Sequence, residues 1–404
     1  MVTHKRKLRG GDPYWLAMGE PRLKIASDAP RKLWDVVIVG AGITGALIAH
    51  RLTSLGLSVL ILDRRRPLHG STAASTALIQ WDIDRTLTEL AELRGLRAAQ
   101  DIYRLSLDAV RHLERLIREE NIACAWRSRE ALYLAGDAHG FRALKAEADL
   151  REKSGLPSHF VDAKVLRDGH GFDRSGAIVS RVAGELDPVR LAKGLLTRAQ
   201  AKGATLISPS EVAVCESGPS QVGLLTKDGM AFEARRVIFA TGYETLKQIP
   251  RSSYDVISTW ALATKPLSRE QLWPDRKIIW EASDPYLYLR TTPDNRIIAG
   301  GEDEDFADEE TRDRLIASKS KTILRKLHEL LPGRRLEIAH RWAGNFAETD
   351  DGLPIIAEPD GLPHCLAVLG AGGNGITFSV IAADIAAAWV RGRKASGAKY
   401  FEPR

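Results

Sequence analysis

Residues 35–63, DVVIVGAGITGALIAHRLTSLGLSVLILD, combine an apolar strand, a glycine turn, a helix and a second apolar strand. The β-branched run before the turn is typical of a strand buried in a parallel sheet. Gly40, Gly42 and Gly45 form GxGxxG. The first glycine permits the tight turn, the second lets the backbone approach a pyrophosphate, and the third lets the helix pack on the strand. The stretch therefore predicts a βαβ unit with a dinucleotide site.

Further binding groups lie within and just after this stretch. Ile43 and Thr44 stand at the helix start, where free N–H groups bind anions. Asp63 ends the second strand, at the position that holds a ribose hydroxyl. Residues 64–66 are arginines, and an arginine there can accept a 2′-phosphate, so the kind of dinucleotide stays open. A glycine-rich turn in an ordinary βαβ unit is the alternative.

Composition limits the class of protein. A chain of 404 residues suits two joined domains with a large core. Its net charge of +6 permits nucleic-acid binding without indicating it. Three cysteines without CxxC spacing predict neither a disulfide framework nor a metal site, and they favour a cytoplasmic location. No signal peptide is expected at the amino terminus. No membrane span is expected either, since the longest apolar stretch contains Asp384.

Three other stretches are rich in small residues. A strand ending in a small-residue turn lets backbone approach a ligand, as predicted for Ala240, Thr241 and Gly242. Residues 70–77 are expected to pass beside the ligand, with a small-residue helix packed on the sheet as the alternative; the predicted contacts are Gly70, Ser71, Thr72 and Ser75. Near the carboxyl terminus a glycine turn frees amides at a helix start, where the dipole favours a group that gains negative charge. Its predicted contacts are Gly370, Gly372, Gly373, Asn374, Gly375 and Ile376.

Periodicity organises the rest of the chain. Residues 1–33 are interpreted as a surface arm, and helices are predicted at 87–119, 141–153 and 188–202, with a hairpin at 123–127 and 131–135. Short strands are predicted at 204–207, 212–215, 222–226 and 237–240, and a more aromatic group, assigned to a separate sheet, at 256–262, 277–280, 286–290 and 296–300. The acidic run 301–310, GEDEDFADEE, is interpreted as a solvated loop and helix start.

Six motifs in order resemble the flavoenzymes of the D-amino acid oxidase and glycine oxidase type, which include amine and sarcosine oxidases. They are GAGITG with Asp63, GST at 70–72, GELDPVRL at 184–191, RRVIFATG at 235–242, RWAGNFAETDDGLPIIA at 341–357 and GAGGNG at 370–375. The resemblance runs nearly end to end. It implies an α/β fold with one FAD in an interrupted Rossmann-like domain, and a substrate domain with helices and a mixed, largely antiparallel β-sheet.

The resemblance also implies domain boundaries and an orientation for the cofactor. The FAD-binding domain is expected to comprise 34–85, 186–250 and 346–404, and the substrate domain 86–185 and 251–345. Val212 is expected beside the adenine and Arg64 at the adenosine end. The carboxyl-terminal glycines are expected at the pyrimidine side of the flavin, which agrees with the dipole argument. FAD is thereby favoured over NADP.

The chain departs from the family pattern at positions that bear on the chemistry. Ala74 stands where some relatives have a histidine that tethers the flavin, and 342–349 contain no cysteine, so noncovalent FAD is expected. Phe346 stands where glycine-oxidase-like members often have an arginine for the substrate carboxylate. Ile297 and Ile298 occupy the strand that carries an oxygen-activating lysine in sarcosine-oxidase-like members. An α-amino acid substrate and oxygen as acceptor are therefore both left open.

The substrate pocket is expected to be aromatic, with few polar anchors. Tyr286, Tyr288 and Arg290 alternate along one predicted strand and so share a face, which lies either over the flavin or towards solvent. On the first alternative Arg290 can hold an anionic group. Further pocket candidates, each weighed against core packing, a helix cap or an ordinary turn, are Trp260, Gln80, Trp81, Trp342, Asp82, Asp84, Asn345, Glu348 and Asp351.

These observations together predict an FAD-dependent oxidoreductase. The expected reaction is oxidation of the CH–NH bond of a small amine or amino-acid-like substrate, with hydride transfer to flavin N5 and an imine that hydrolyses. An FAD-dependent dehydrogenase or hydroxylase acting on CH–OH or another donor is the alternative. A non-catalytic dinucleotide- or RNA-binding protein is a third interpretation. A small molecule is the expected partner, without nucleic acid or membrane, and the oligomeric state stays open.

Overall fold

The computed structural model describes residues 2–19, 21–250 and 253–403. The strands are β1 (Arg9–Gly11), β2 (Leu33–Val39), β3 (Val59–Leu62), β4 (Leu78–Ile79), β5 (Arg127–Leu134), β6 (Ser158–Asp162), β7 (Gly176–Glu185), β8 (Thr205–Ile207), β9 (Val212–Ser217), β10 (Val222–Thr226), β11 (Ala231–Phe239), β12 (Asp255–Thr264), β13 (Ile278–Glu281), β14 (Leu287–Thr291), β15 (Ile297–Glu304), β16 (Ile338–Glu348), β17 (Ile355–Ala357) and β18 (Cys365–Leu369). The helices are α1 (Tyr14–Ala17), α2 (Ile43–Thr53), α3 (Ser71–Ala74), α4 (Leu87–Arg94), α5 (Leu96–Glu119), α6 (Phe141–Lys153), α7 (Ala163–Val165), α8 (Pro188–Ala201), α9 (Glu309–Arg314), α10 (Ile316–Leu330) and α11 (Gly375–Val390).

The predicted βαβ unit forms the centre of the first sheet. Its strand order is β17-β18-β11-β2-β3-β8, and β9 and β10 extend it as a hairpin on β11. The neighbouring pairs from β18 to β8 are parallel. Val36, Val37 and Ile38 of β2 are fully buried, as expected for a strand covered on both faces. Helices α8 and α11 pack beside α2 against this sheet.

The second sheet has the order β1-β16-β12-β15-β14-β13-β5-β7-β4, with β6 paired to β7. Among the described residues β5 and β13 form its one parallel pair, and its other pairs are antiparallel. This is the mixed, largely antiparallel sheet that the sequence predicts, so the predicted α/β fold class is confirmed. Helix α10 packs on β12, β15 and β16.

Several local predictions were wrong. The surface arm is partly buried, because β1 pairs with β16 and the side chains of Tyr14 and Trp15 are inside the core. The predicted hairpin at 123–127 and 131–135 is replaced by the single strand β5, which pairs with β7 and β13 instead of folding back on itself. The predicted helix 87–119 is broken at Gly95, whose φ of 82° no helix contains.

The division into an FAD-binding and a substrate domain stays a prediction. Strands of the first sheet come from 33–62, 205–239 and 355–369, within or one residue outside the ranges expected for the FAD-binding domain. Three elements cross the expected division, since β4 joins the second sheet, β16 runs to Glu348, and α5 packs on α11. The expected boundaries at residues 1, 251 and 404 lie outside the described residues. No helix in the described part of the chain is long and apolar enough to cross a membrane.

A buried ion cluster ties α6 to the segment after β4. The fully buried Arg151 guanidinium donates from Nε to Glu147 at 2.6 Å and also donates to Asp82. The Glu147 carboxylate in turn accepts the N–H groups of Leu87 and Thr88 at 2.8 and 2.9 Å. Glu147 therefore caps the start of α4. Because Glu147 belongs to α6, this cap also joins the two helices.

Removing the guanidinium tests this cluster. We expect Arg151→Leu to lower the free energy of unfolding by about 3–5 kcal/mol, because two buried carboxylates lose their counter-charge. Urea unfolding with saturating FAD measures it. The control is Arg111→Leu, which removes an exposed pair with Asp108 at 3.2 Å and is expected to cost about 1 kcal/mol or less. Equal losses in the two variants would contradict the role given to Arg151.

Candidate functional site

One long cleft begins at the carboxyl ends of the parallel strands and reaches the second sheet. It encloses about 2080 Å³ of empty space, open solvent at its mouth included. Its walls contain the three glycine-containing turns after β2, β11 and β18. Such a crevice at the carboxyl ends of parallel strands is where α/β proteins bind nucleotides.

The turn after β2 is built so that only glycine fits. Gly40 has φ of 114°, and a Cβ there would lie 2.3 Å from the carbonyl oxygen of Ala240. A Cβ at Gly45 would lie 1.9 Å from the carbonyl oxygen of Gly40. The absence of side chains brings α2 against the turn and leaves the turn's backbone facing the cleft. This cradle fits a pyrophosphate at the start of α2.

The acid at the end of β3 supports the turn. Asp63 accepts N–H groups from Ala41 at 2.7 Å and from Arg65 at 2.8 Å, and it lines the cleft. Burial raises the pKa of this carboxyl, and the two backbone hydrogen bonds oppose that shift. Each oxygen keeps further acceptor capacity for a ribose hydroxyl.

The arginine after Asp63 is already paired. Arg64 donates from Nε to Glu244 Oε2 at 2.8 Å, and this hydrogen bond raises the pKa of the guanidinium. Arg65 donates to the same carboxylate, which is buried. The positive charge that a 2′-phosphate would need is therefore partly neutralised, which agrees with the expectation of FAD over NADP.

Hydrogen bonds between hydroxyl-bearing side chains and neighbouring elements fix the position of α2. Thr72 Oγ1 accepts the N–H of Ile43 at 2.9 Å and so fixes the start of α2. Thr44 Oγ1 and Ser379 Oγ lie 2.7 Å apart, which links α2 to α11. The predicted ligand-contact zone thus also supports the start of α2, and α2 is joined in turn to α11.

Hydrogen bonds to the segment after β4 hold the carboxyl-terminal glycine turn in place. Gly373 donates its N–H to Asp84 Oδ2 at 3.0 Å, and Asn374 Nδ2 donates to the carbonyl of Asp82 at 2.7 Å. Gly372 has φ of 52°, and its carbonyl accepts the hydroxyl of Tyr243 at 3.1 Å. The start of α11 consequently faces the cleft in a fixed position.

The structure brings nearly all the predicted cofactor contacts to this one cleft. Residues that line it are Gly40, Gly42, Ile43, Thr44, Asp63, Arg64, Gly70, Ser71, Thr72, Ser75, Val212, Ala240, Thr241, Gly242, Gly370, Gly372, Gly373, Asn374, Gly375 and Ile376. Gly45 does not line it, because its role is the close approach of α2 to the turn. Whether each residue touches the cofactor stays a prediction.

Two tyrosines form a wall at the other end of the cleft. The rings of Tyr286 and Tyr288 lie 5.7 Å apart, and both residues line the cleft. Tyr288 fits because it faces Gly300 on β15, where a Cβ would be 2.3 Å from its hydroxyl oxygen. Burial raises the pKa of both phenols above the usual range, so they stay neutral. Of the two alternatives for this face of the strand, the structure favours the cleft over solvent for the tyrosines, and their contact with a substrate stays a prediction.

Arg290 does not follow them, and its predicted role as an anion anchor is contradicted. It is buried, and its nitrogens donate to the carbonyls of Thr76, Leu186 and Thr291 at 2.6, 2.7 and 3.1 Å. Its guanidinium also lies 5.0 Å from the ring centre of Trp15. Burial lowers its pKa to about 10, which keeps it charged at neutral pH. The side chain joins elements of the core, because backbone carbonyls occupy its donors.

Three tryptophans predicted as pocket candidates are also core residues. Trp260, Trp81 and Trp342 are fully buried and do not line the cleft. Their indole N–H groups donate to backbone carbonyls at 3.0, 2.6 and 2.8 Å. Core packing, with the polar edge satisfied by backbone, is therefore the correct interpretation for all three. Gln80, Asp84, Asn345 and Phe346 do line the cleft.

Several residues of the cleft were missed by sequence reasoning. Thr259 and Trp280 line it from β12 and β13. A second cavity, lined in part by Tyr286, Asp303 and Glu348, adjoins it. The interpretation of 301–310 as a solvated loop was wrong for its first part, because β15 continues to Glu304. In the described part of the chain no group of His, Cys, Asp and Glu has the arrangement of a metal site.

Comparison with known proteins agrees with this geometry. A family model described as FAD dependent oxidoreductase (DAO) matches residues 35–389. In Bacillus subtilis (strain 168), the oxidoreductase YurR, itself uncharacterized, is 26% identical over 365 residues, 85% of this chain and 91% of that protein. YhfW of the same organism, described as a Rieske 2Fe-2S iron-sulfur protein, is 24% identical over 204 residues. That match spans 50% of this chain and only 39% of YhfW.

Solved structures share the whole fold. L-proline dehydrogenase from P. horikoshii superimposes with a TM-score of 0.77 at 19% identity, covering 92% of this chain and 97% of that one. Glycine oxidase from Geobacillus kaustophilus gives a TM-score of 0.75 at 20% identity, covering 91% and 96%. At these identities the likeness shows the fold alone.

A methyl group at the third glycine of the motif tests the cradle. We expect Gly45→Ala to raise the dissociation constant for FAD about tenfold to a hundredfold, because α2 must move away from the turn at a cost of about 1–3 kcal/mol. Fluorescence titration of the apoprotein with FAD measures it. The control is Gly169→Ala, where an added Cβ meets no atom within 4 Å. Unchanged affinity in Gly45→Ala would contradict the packing role.

Proposed function

Because this chain belongs to the DAO family of FAD-dependent oxidoreductases, we propose that it oxidises the CH–NH bond of a small amine or amino-acid-like substrate. The product is an imine that water hydrolyses. The observation that carries the proposal is that one cleft contains both the glycine cradle of α2 and the neutral pair Tyr286 and Tyr288. The same cleft therefore offers one place to the cofactor and another to the substrate.

The chain's own residues suit the two ends of FAD. The glycine turn before α2 and the Asp63 carboxylate would hold the pyrophosphate and the ribose. The amides at the start of α11, fixed by Asp84 and Asn374, would face the end of the flavin that gains negative charge. When bound, FAD accepts a hydride equivalent at N5 from the carbon beside the substrate nitrogen.

The protein's contribution to the reaction is then orientation and exclusion of water. Tyr286, Tyr288 and Phe346 present ring surface to the cleft and few charges. Such a wall favours the unprotonated amine, which is the form that can be oxidised. Two structural neighbours, L-proline dehydrogenase and glycine oxidase, are named for substrates of the same class, which supports the proposal.

Noncovalent attachment of FAD is part of the proposal. Ala74 lines the cleft at the position where some relatives have a tethering histidine, and neither cysteine nor histidine is among the described residues that line it. These side chains leave no soft nucleophile next to the cofactor.

The purified protein tests the proposal directly. We expect it to be yellow, and acid precipitation is expected to release all of the FAD into the supernatant. Under anaerobic conditions amines or amino acids should bleach the flavin, as followed by stopped-flow absorbance. Bleaching by hydroxy acids alone would favour the dehydrogenase alternative, and flavin that stays with the acid pellet would contradict noncovalent binding.

The tyrosine wall has its own test. We expect Gly300→Ala to lower the rate of flavin bleaching by an amine about tenfold or more, because the added methyl group displaces the Tyr288 ring. FAD content should stay unchanged, since Gly300 does not line the cleft. The matched control is Gly223→Ala on β10, where the nearest atom to an added Cβ is 3.9 Å away. A normal bleaching rate in Gly300→Ala would remove Tyr288 from the substrate site.

A further inference from the structure

The second cavity lies next to the substrate end of the cleft and is acidic. It is lined by Ile257, Asp284, Tyr286, Asp303, Glu304, Asp305, Phe306 and Glu348, with no basic residue among the described ones. Tyr286 lines both cavities, so they meet at the tyrosine wall. A substrate held against this wall has a carboxylate-lined space beside it.

Asp303 differs from the acids on either side of it. Glu302 and Glu304 have lysine partners on α10: Lys326 lies 2.6 Å from Glu302, and Lys319 pairs with Glu304. Both carboxylate oxygens of Asp303 are buried, and neither accepts a hydrogen bond of good geometry among the described residues, although the hydroxyls of Thr259 and Tyr286 lie beside them. No lysine or arginine among the described residues forms an ion pair with Asp303, and a buried carboxylate without a counter-charge is costly, so this position favours a cationic group from outside the chain.

A β-bulge explains the direction of this side chain. Ser258 pairs with Glu304 and Trp260 with Gly301, so Glu302 and Asp303 together face the single residue Thr259. A bulge re-aims one side chain of a strand. Thr259 lines the main cleft, and Asp303 lines the cavity beside it.

Glu348 and Asp84 complete the acidic surroundings. Burial is the main cause that raises the pKa of Asp303 to about 6 and of Glu348 to about 7, and the neighbouring carboxylates Asp84 and Asp303 add to the shift of Glu348. Arg85 opposes the shift of Glu348 without removing it. A cation that enters the cavity would stabilise the ionised form of both carboxyls.

We propose that Asp303 and Glu348 bind a second ammonium group of the substrate, which makes a short α,ω-diamine or another dicationic amine the preferred substrate class. The inference rests on the proposed amine oxidation. It agrees with the use of Arg290 in the core and with Phe346 in the cleft, since neither offers a positive charge to a substrate carboxylate. An organic ammonium also needs no metal-type ligand geometry, and the described residues form none here.

The test compares three ligands of similar length on the FAD-loaded protein: 1,4-diaminobutane, butylamine and 4-aminobutanoate. Perturbation of the oxidised flavin spectrum measures binding, and anaerobic bleaching measures oxidation. We expect the diamine to bind about tenfold more tightly than butylamine, and 4-aminobutanoate to bind more weakly than butylamine. Equal or tighter binding of the amino acid would overturn the proposal.

Two variants locate the second ammonium. Asp303→Asn and Glu348→Gln should each raise the dissociation constant of the diamine about tenfold and leave that of butylamine within about twofold. The control is Asp360→Asn, an exposed carboxylate outside both cavities. Losses that are equal for both ligands would overturn the proposal, as would displacement of the diamine by millimolar Mg²⁺ or Ca²⁺, which would identify a metal site.

The two readouts separate this inference from the proposed function. If no amine or amino acid bleaches the flavin but the diamine still perturbs its spectrum in an Asp303-dependent way, amine oxidation fails and dication binding stands. If butylamine or an amino acid bleaches the flavin with no preference for the diamine, amine oxidation stands and the dication inference fails.

Discussion

The position of β2 between β3 and β11 is the constraint on which the rest of the structure depends. The chain leaves β2 through α2 to β3 on one side, while β11 and β18 return on the other side. A crevice must open at the carboxyl end of β2, since the connections on its two sides run in different directions. The turns after β2, β11 and β18 meet there, and each contains the glycines that such close approach requires.

Charge is distributed along the cleft in a way that matches the two kinds of ligand. At the adenosine end Arg64 and Arg65 share the Glu244 carboxylate, which neutralises part of their positive charge beside the nucleotide. At the substrate end the charged groups are carboxylates, and Arg290 is turned into the core. The second sheet thus supplies an aromatic and acidic surface, where an arginine-based site for a carboxylate would need a guanidinium in the cleft.

Local patterns predicted the cofactor end well, and they predicted the substrate end only in part. The sequence predicted the glycine motif with Asp63 and the turn before α11. Each of these features depends on residues that are close together in the sequence. Whether the side chains of Trp260 and Arg290 point into the cleft or into the core could not be predicted in this way. An indole or a guanidinium suits a pocket or a core equally, and the choice depends on which backbone carbonyls the fold brings near.

By itself the sequence determined the βαβ unit, its glycine cradle, the two groups of strands and the membership of the chain in a flavoenzyme family. These features follow from periodicity and from residues within about 30 positions of each other. Only the tertiary structure decided which acids face the substrate. A single bulge in β15 turns Asp303 into the cavity, while lysines of α10 neutralise Glu302 and Glu304. The three consecutive acids differ because β15 pairs with β12 and packs against α10. A run of like charges in the sequence does not indicate either contact.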